Sequence, residues 1–252
     1  MYTRVKTDKE IAAMRVAGKI CADVLKLVKN SAVPGISTKE LSEIAAKEIK
    51  SLGAKASFLG YKDFPEAICI SLNDEVVHGI PSKDKIIKKG DIASFDLGVT
   101  YDGMIVDSAI SCLINSKDKE KLLLLEKTEL SLMEGIHQIK HNCRVGDIGS
   151  AIQKILDRAK YGIVRDLVGH GVGHAVHEEP NIPNYGYGNS GPLLKKGMTV
   201  AIEPMATMGD HEVFVGSDGW TIKTRDGSLS AHYEHTVLVT DDGHEVLTIS
   251  DS

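Results

Sequence analysis

The chain has 252 residues, 42% of them hydrophobic and 26% charged, with a formal net charge of −5. That length suffices for one large core or two small ones, and the acidic balance excludes the basic footprint expected of a nucleic-acid binder. No apolar run approaches the roughly 20 residues that span a bilayer.

The start, MYTRVKTDKE, has neither the apolar core of a signal peptide nor the character of a transit peptide. Four scattered cysteines (Cys21, Cys69, Cys112, Cys143) form no CxxC pair, so neither a disulfide framework nor a zinc knuckle is suggested. The expectation is a reduced, cytoplasmic, globular protein with no membrane partner.

In chain order, Thr7 and Glu10 read as a capping box that opens a helix carrying Ile11, Met14, Cys21, Val24, Leu25 and Val28 at helical spacing. Pro34-Gly35 ends it. Ser37 and Glu40 open a second helix, with Leu41, Ile44, Ala45 and Ile49 on its apolar stripe and Gly53 after its end. Ala67 to Leu72 suits a short buried strand; Tyr61 and Phe64 flank a proline turn, and His78 precedes a glycine in another. Lys117 to Asn142 reads as a long helix in which His137 and His141 are surface residues. Asp147 is expected to cap the next helix, with Gly162 at its end. Met198–Ile202, Val213–Val215, Trp220–Lys223 and Ser230–Thr240 read as strands, and DDGHEVLTIS as a terminal hairpin.

Two stretches argue chemistry. Asp102-Gly103 is a two-residue hairpin turn; it sets Asp107 opposite Gly98, which makes Asp96 and Asp107 diagonal neighbours on one face. Two like charges so placed among Ala93, Phe95, Leu97 and Val106 repel unless a cation lies between them. The second stretch, GHGVGHAVHEEPNIP, holds His170, His174 and His177 in a glycine-rich segment unsuited to a helix. Read as extended backbone, it places His170, Val172, His174 and Val176 on one side and His177 on the other. Further on, Pro204 cannot donate to a ladder, so Glu203 stands at a strand end or bulge. Each half of the chain thus has two helices followed by strands bearing two carboxylates: Asp96 and Asp107, then Glu203 and Glu234.

FDLGVTYDGMIVDSA, GHGVGHAVHEEPNIPNYG, AIEPM and SAHYEHTVLVT, in this order, resemble the type I methionine aminopeptidases of the pita-bread metallopeptidase fold. The resemblance extends over essentially the whole chain, including KTDKEIAAMRVAGKI. It implies a single catalytic domain over residues 1–252 of class α+β: pseudo-twofold halves with a central antiparallel sheet covered by helices. It further implies two divalent ions (Co, Mn, Fe or Zn) held by Asp96, Asp107, His170, Glu203 and Glu234, with Asp107 and Glu234 shared between them. By the same resemblance Glu203 takes the proton of the attacking water, and His78 and His177 bind the substrate amide. Tyr61, Phe64, Cys69 and Trp220 form the methionine pocket. The implied substrates are nascent polypeptides with an N-terminal methionine, met at the ribosome by a monomer.

Three positions depart from the family pattern: Val176 where an aromatic residue is common, Phe58 where a cysteine is common, and His232 where Gln is usual. His232 either tunes Glu234 or faces solvent. The alternatives are an Xaa-Pro aminopeptidase or prolidase, whose extra N-terminal domain is not expected here, and a metal-free pita-bread module that binds peptides. Only 26 positions separate His177 from Glu203, too few for the helical insertion of the type II enzymes.

Overall fold

The computed structural model describes residues 4–250. Helix α1 (Asp8–Ser31) starts at a full capping box: the Glu10 amide donates to Thr7 Oγ1, and the Thr7 amide donates to Glu10 Oε2 at 2.7 Å. Helix α2 (Thr38–Ser51) repeats the device with Ser37 and Glu40. Each box satisfies backbone donors that a helix start otherwise leaves orphaned. Met14, Cys21, Val24, Leu25 and Val28 on α1, with Leu41, Ala45 and Ile49 on α2, form one buried core with Phe95, Leu97, Val99 and Val106.

Those last four residues belong to the long hairpin of Ile92–Tyr101 and Met104–Leu113. Asp102 (φ 45°) and Gly103 (φ 79°) both lie in the left-handed region, the requirement of a type I′ turn. The register is therefore the one their spacing predicts, with Gly98 paired to Asp107 and Asp96 to Ala109. Lys55–Ala56 and Cys69–Leu72 pair with the other edge of Ile92–Tyr101 and complete a four-stranded sheet.

The second half repeats the plan. Helices α3 (Lys119–Ile136) and α4 (Val145–Ala159) cover a five-stranded sheet in the order His244–Val246, His235–Val239, Thr199–Ile202, Gly169–Gly171, Glu178–Ile182. Leu124, Leu132, Ile148, Ile152 and Leu156 pack there against Val200, Ile202 and Val237. Boundaries here differ from expectation. α3 stops at Ile136 rather than running to Asn142, and of its four consecutive leucines two, Leu122 and Leu123, face solvent. Asp147 is the third residue of its box, accepting from the Arg144 amide at 2.8 Å, while Arg144 occupies the cap position. α4 ends on Lys160 in the left-handed conformation, and Gly162 begins a short strand instead. No helix is long and apolar enough to cross a membrane among the described residues.

The strand expected over Ser230–Thr240 is broken in two, because the chain changes sheet at Tyr233-Glu234. Its neighbour changes sheet at the same level, at Glu203-Pro204. Ile202 pairs with His235 in the large sheet, whereas Met205 pairs with His232 in a three-stranded one. A second three-stranded sheet joins Glu75–Val77, Ile222–Thr224 and Val213–Val215. Its middle strand begins two residues later than Trp220, since the Asp218 carboxylate holds the Trp220 and Thr221 amides in a turn.

The two halves are sewn together along Asp107–Ser111 and His232–Thr236. Ala109 and Glu234 exchange backbone hydrogen bonds of 3.2 and 2.9 Å. Thr236 Oγ1 accepts the Asp107 amide at 2.8 Å and donates to the Asp107 carbonyl at 2.7 Å. Ser111 Oγ does the same for His232, at 3.0 and 2.7 Å. Replacing Thr236 by Val keeps the shape but leaves both Asp107 backbone groups unpaired, so Thr236→Val is expected to lower the unfolding free energy by about 1–3 kcal/mol, measured by urea denaturation.

Candidate metal centre and pocket

The seam carries a chemical consequence. Asp107 and Glu234 stand on its two sides, Asp96 lies diagonal to Asp107 on the hairpin, and Glu203 occupies the parallel sheet switch. Asp96, Asp107 and Glu234 are all at least nine-tenths buried, and Glu203 is half-buried. His170 arrives from the Gly169–Gly171 strand, paired to Ala201. Gly169 is needed beside it: a β-carbon there would sit 2.4 Å from the Ala201 carbonyl oxygen. Ligand atoms of Asp107, His170 and Glu234 all fall within 4.8 Å of one another.

Electrostatically the cluster cannot stand alone. Burial pushes the carboxyls of Asp96, Asp107, Glu203 and Glu234 above their usual range, and for the last three the neighbouring carboxylates push further. One oxygen each of Asp96, Asp107 and Glu234 is buried without a hydrogen-bond partner. His170 Nδ1 lies 2.9 Å from the Gly171 carbonyl oxygen and donates to it. Burial lowers its pKa to about 3, so the ring is neutral and Nε2 presents a lone pair. Nε2 lies 3.3 Å from Glu203 Oε1. Orphaned hard oxygens around one imidazole nitrogen fit divalent cations of the Mn, Fe, Co and Zn series, and among the described residues no Lys or Arg pairs with these carboxylates.

The extended reading of residues 170–177 fails beyond Gly171. Gly173 adopts φ 143°, and the space a β-carbon would need there is taken by Lys6 Cε at 2.4 Å. The chain bends, so His174 turns away to Glu10, with Nε2 2.7 Å from Oε1. His177, expected opposite His170, instead brings its ring centroid within 4.3 Å of that of His170. Glu178 fixes the bend: Oε1 accepts from the His174 and Ala175 amides, and Oε2 accepts from the buried Lys6 ammonium at 2.9 Å. Nothing in the local sequence announced Lys6, which sits one residue before a helix cap.

Beside the cluster opens a cavity of about 180 Å³, whose wall includes Phe58, Tyr61, Phe64, Cys69, Val176 and Trp220. All the residues assigned to a pocket by resemblance are there, together with His78 and His177. Phe64 meets Trp220 edge-on at 5.1 Å, and His78 meets the same indole at 6.3 Å. Tyr61 OH lies 3.0 Å from His177 Nδ1. Burial first, then the nearby His177, lowers the His78 pKa to about 4; burial lowers that of His177 as well. His232 is fully buried and does not face solvent. Its Nε2 is 3.8 Å from Glu203 Oε2, so it looks toward Glu203. Asn184, which the sequence did not single out, donates to the Glu203 carbonyl at 3.0 Å.

The metallopeptidase family M24 model matches residues 12–241. The chain is 43% identical to "Methionine aminopeptidase" of Clostridium acetobutylicum over 97% of its own length and 98% of that protein. It is 44% identical to the Aquifex aeolicus protein of the same name, over 98% and 99%. The crystal structure of Thermotoga maritima methionine aminopeptidase superposes with a TM-score of 0.96 at 43% identity, covering 98% of this chain and 99% of that one. Prolidase from Pyrococcus furiosus shares the fold at a TM-score of 0.77 and 22% identity, with this chain covering 66% of it. The architecture is the pita-bread fold, and the chain belongs to metallopeptidase family M24.

Proposed function

We propose that this chain is a metalloaminopeptidase that removes the N-terminal methionine from polypeptides, using two divalent ions held by Asp96, Asp107, His170, Glu203 and Glu234. The observation that carries this reading is the carboxylate cluster, paired with no Lys or Arg among the described residues, at the wall of a cavity sized for a single side chain. Drug-sized ligands occupy some 300–1,000 Å³; about 180 Å³ admits one residue and no more. Divalent ions in such a site polarise a carbonyl and make a water nucleophilic near neutral pH.

The rest falls to the protein's own groups. Phe64, Trp220 and Cys69 receive an unbranched apolar side chain. Glu203, half-buried between the cluster and the cavity, accepts the proton of the attacking water and returns it to the leaving amine. In this reading Tyr61, 3.0 Å from Nδ1 of His177, donates to it, which leaves the ring proton on Nε2 to hydrogen-bond the substrate amide as charge develops on its oxygen. His78, neutral at working pH, supplies a second donor. Within this reading the substrates are nascent chains, met at the ribosome by a cytoplasmic monomer of one catalytic domain; the motif resemblance is its support. The prolidase alternative is supported less: the Pyrococcus furiosus prolidase is 22% identical and shares the fold alone.

Metal-loaded protein is expected to release methionine from Met-Ala-Ser, and chelator is expected to abolish that release. Cleavage of Xaa-Pro peptides without methionine release would overturn the substrate assignment. Asp107→Ala should cut kcat/KM by more than about 100-fold, since even changes one shell removed from a metal cost 10–100-fold; unchanged activity would remove Asp107 from the site.

Metal-free protein should also show a characteristic pH profile. Carboxyl pKa values raised on folding mean that these four groups hold more protons in the folded state than in the unfolded one above about pH 4, so their contribution to stability falls as pH rises. The buried histidines, whose lowered pKa values act in the opposite sense below about pH 6.5, confine the test to higher pH; thermal denaturation of apoprotein from pH 7 to 9 should show the carboxyl-driven fall, and divalent metal should flatten it. A stability flat or rising over this range without metal would contradict the electrostatic account.

A further inference from the structure

Lys62 is the one Lys or Arg lining the cavity among the described residues; every acidic group on the same wall belongs to the carboxylate cluster. It stands at the mouth, exposed, with Nζ 5.4 Å from the centroid of the Tyr61 ring. That ring stacks on His177 at 5.6 Å. No described carboxylate takes the ammonium in an ion pair, the adjacent Asp63 included.

The backbone that places it there is unusual. Lys62 (φ 46°) and Asp63 (φ 69°) are consecutive non-glycine residues in the left-handed region, following Gly60 at φ 82°. The turn is closed by the Gly60 amide on the Phe64 carbonyl at 2.8 Å and the Tyr61 amide on the Phe58 carbonyl at 2.9 Å. Phe58 and Phe64 are themselves buried in the cavity wall. Strained non-glycine backbone persists where surrounding structure over-determines it, and it concentrates at ligand clamps. The charge reaches inward too: after burial, Lys62 is a further cause of the lowered pKa of His78 and of His177.

We infer that Lys62 is a specificity residue for the leaving portion of the substrate, selecting a carboxylate just beyond the scissile bond. This rests on the aminopeptidase reading. If the first residue fills the closed cavity, the remaining chain must leave through the mouth, past this ammonium. The carboxylate comes either from an acidic side chain at the third residue or from the free C-terminus of a short peptide. An exposed ion pair of this kind changes binding about two- to fivefold, and salt screens it.

The test compares kcat/KM for Met-Ala-Asp-Gly-amide, Met-Ala-Lys-Gly-amide and free-acid Met-Ala-Gly with that for neutral Met-Ala-Gly-Gly-amide. It uses metal-loaded enzyme, Lys62→Arg and Lys62→Met at low and high salt. The Asp peptide, the free acid or both should exceed the neutral amide about two- to fivefold, and which of them does so identifies the source of the carboxylate. The preference should survive in Lys62→Arg, disappear in Lys62→Met and shrink with salt. Equal ratios for the unaltered enzyme and Lys62→Met, with the neutral amide cleaved, would overturn this inference alone. No methionine release from the neutral amide by the unaltered enzyme would overturn both it and the reading beneath it.

Discussion

Four carboxyl groups sharing one dry wall are the constraint on which the molecule is built. Taking an ionised carboxylate out of water costs several kcal/mol even after relaxation, and each further one nearby adds repulsion. A fold selected for stability alone would keep such groups apart or pair each with Lys or Arg. Here the buried ammonium of Lys6, near the bend at Gly173, is engaged with Glu178 instead. On the proposed reading the cluster is a cation trap, costly when empty and neutralised when filled.

The backbone gives that trap its rigidity. Asp107 is gripped at both its amide and its carbonyl by Thr236 Oγ1, and Glu234 is bonded through its main chain to Ala109 and Ser108. The halves thus register against each other at the residues that must converge. Glu203 and Glu234 sit where two neighbouring strands leave one sheet for another, a place where side chains need not obey the alternation that would hide one of them. Packing behind this seam is conventional: each half lays two amphipathic helices over its strands. The carboxylate cluster lies on the line where the halves meet.

How much of this could be read from the residues follows from the range of the forces involved. Capping boxes at Thr7 and Ser37 and the Asp102-Gly103 turn are local, and the turn alone sets the Gly98–Asp107 register and hence the Asp96–Asp107 pair. Pro204 likewise marks the strand end at Glu203. What escaped was set at a distance. The bend at Gly173 exists because Lys6, over 160 positions away, fills the space beside it, and that bend sends His174 outward and His177 inward against the simple alternation. The break at Tyr233-Glu234 carries no proline or glycine; it is imposed by pairing to strands on both sides. Arg144 took the cap position from Asp147, although the reciprocal bond from Asp147 is what a capping motif leads one to seek. The motif resemblance named the candidate residues as a set where spacing could not, but it gave no role to Lys6, Asn184 or Thr236, which hydrogen-bond to Glu178, Glu203 and Asp107.

The most direct test is anomalous diffraction from crystals of this protein grown as apoprotein and soaked in a manganese salt. The account predicts two peaks enclosed by Asp96, Asp107, His170, Glu203 and Glu234, with the orphaned carboxylate oxygens turned to them. No peak among these side chains, or manganese bound only elsewhere on the surface, would contradict it.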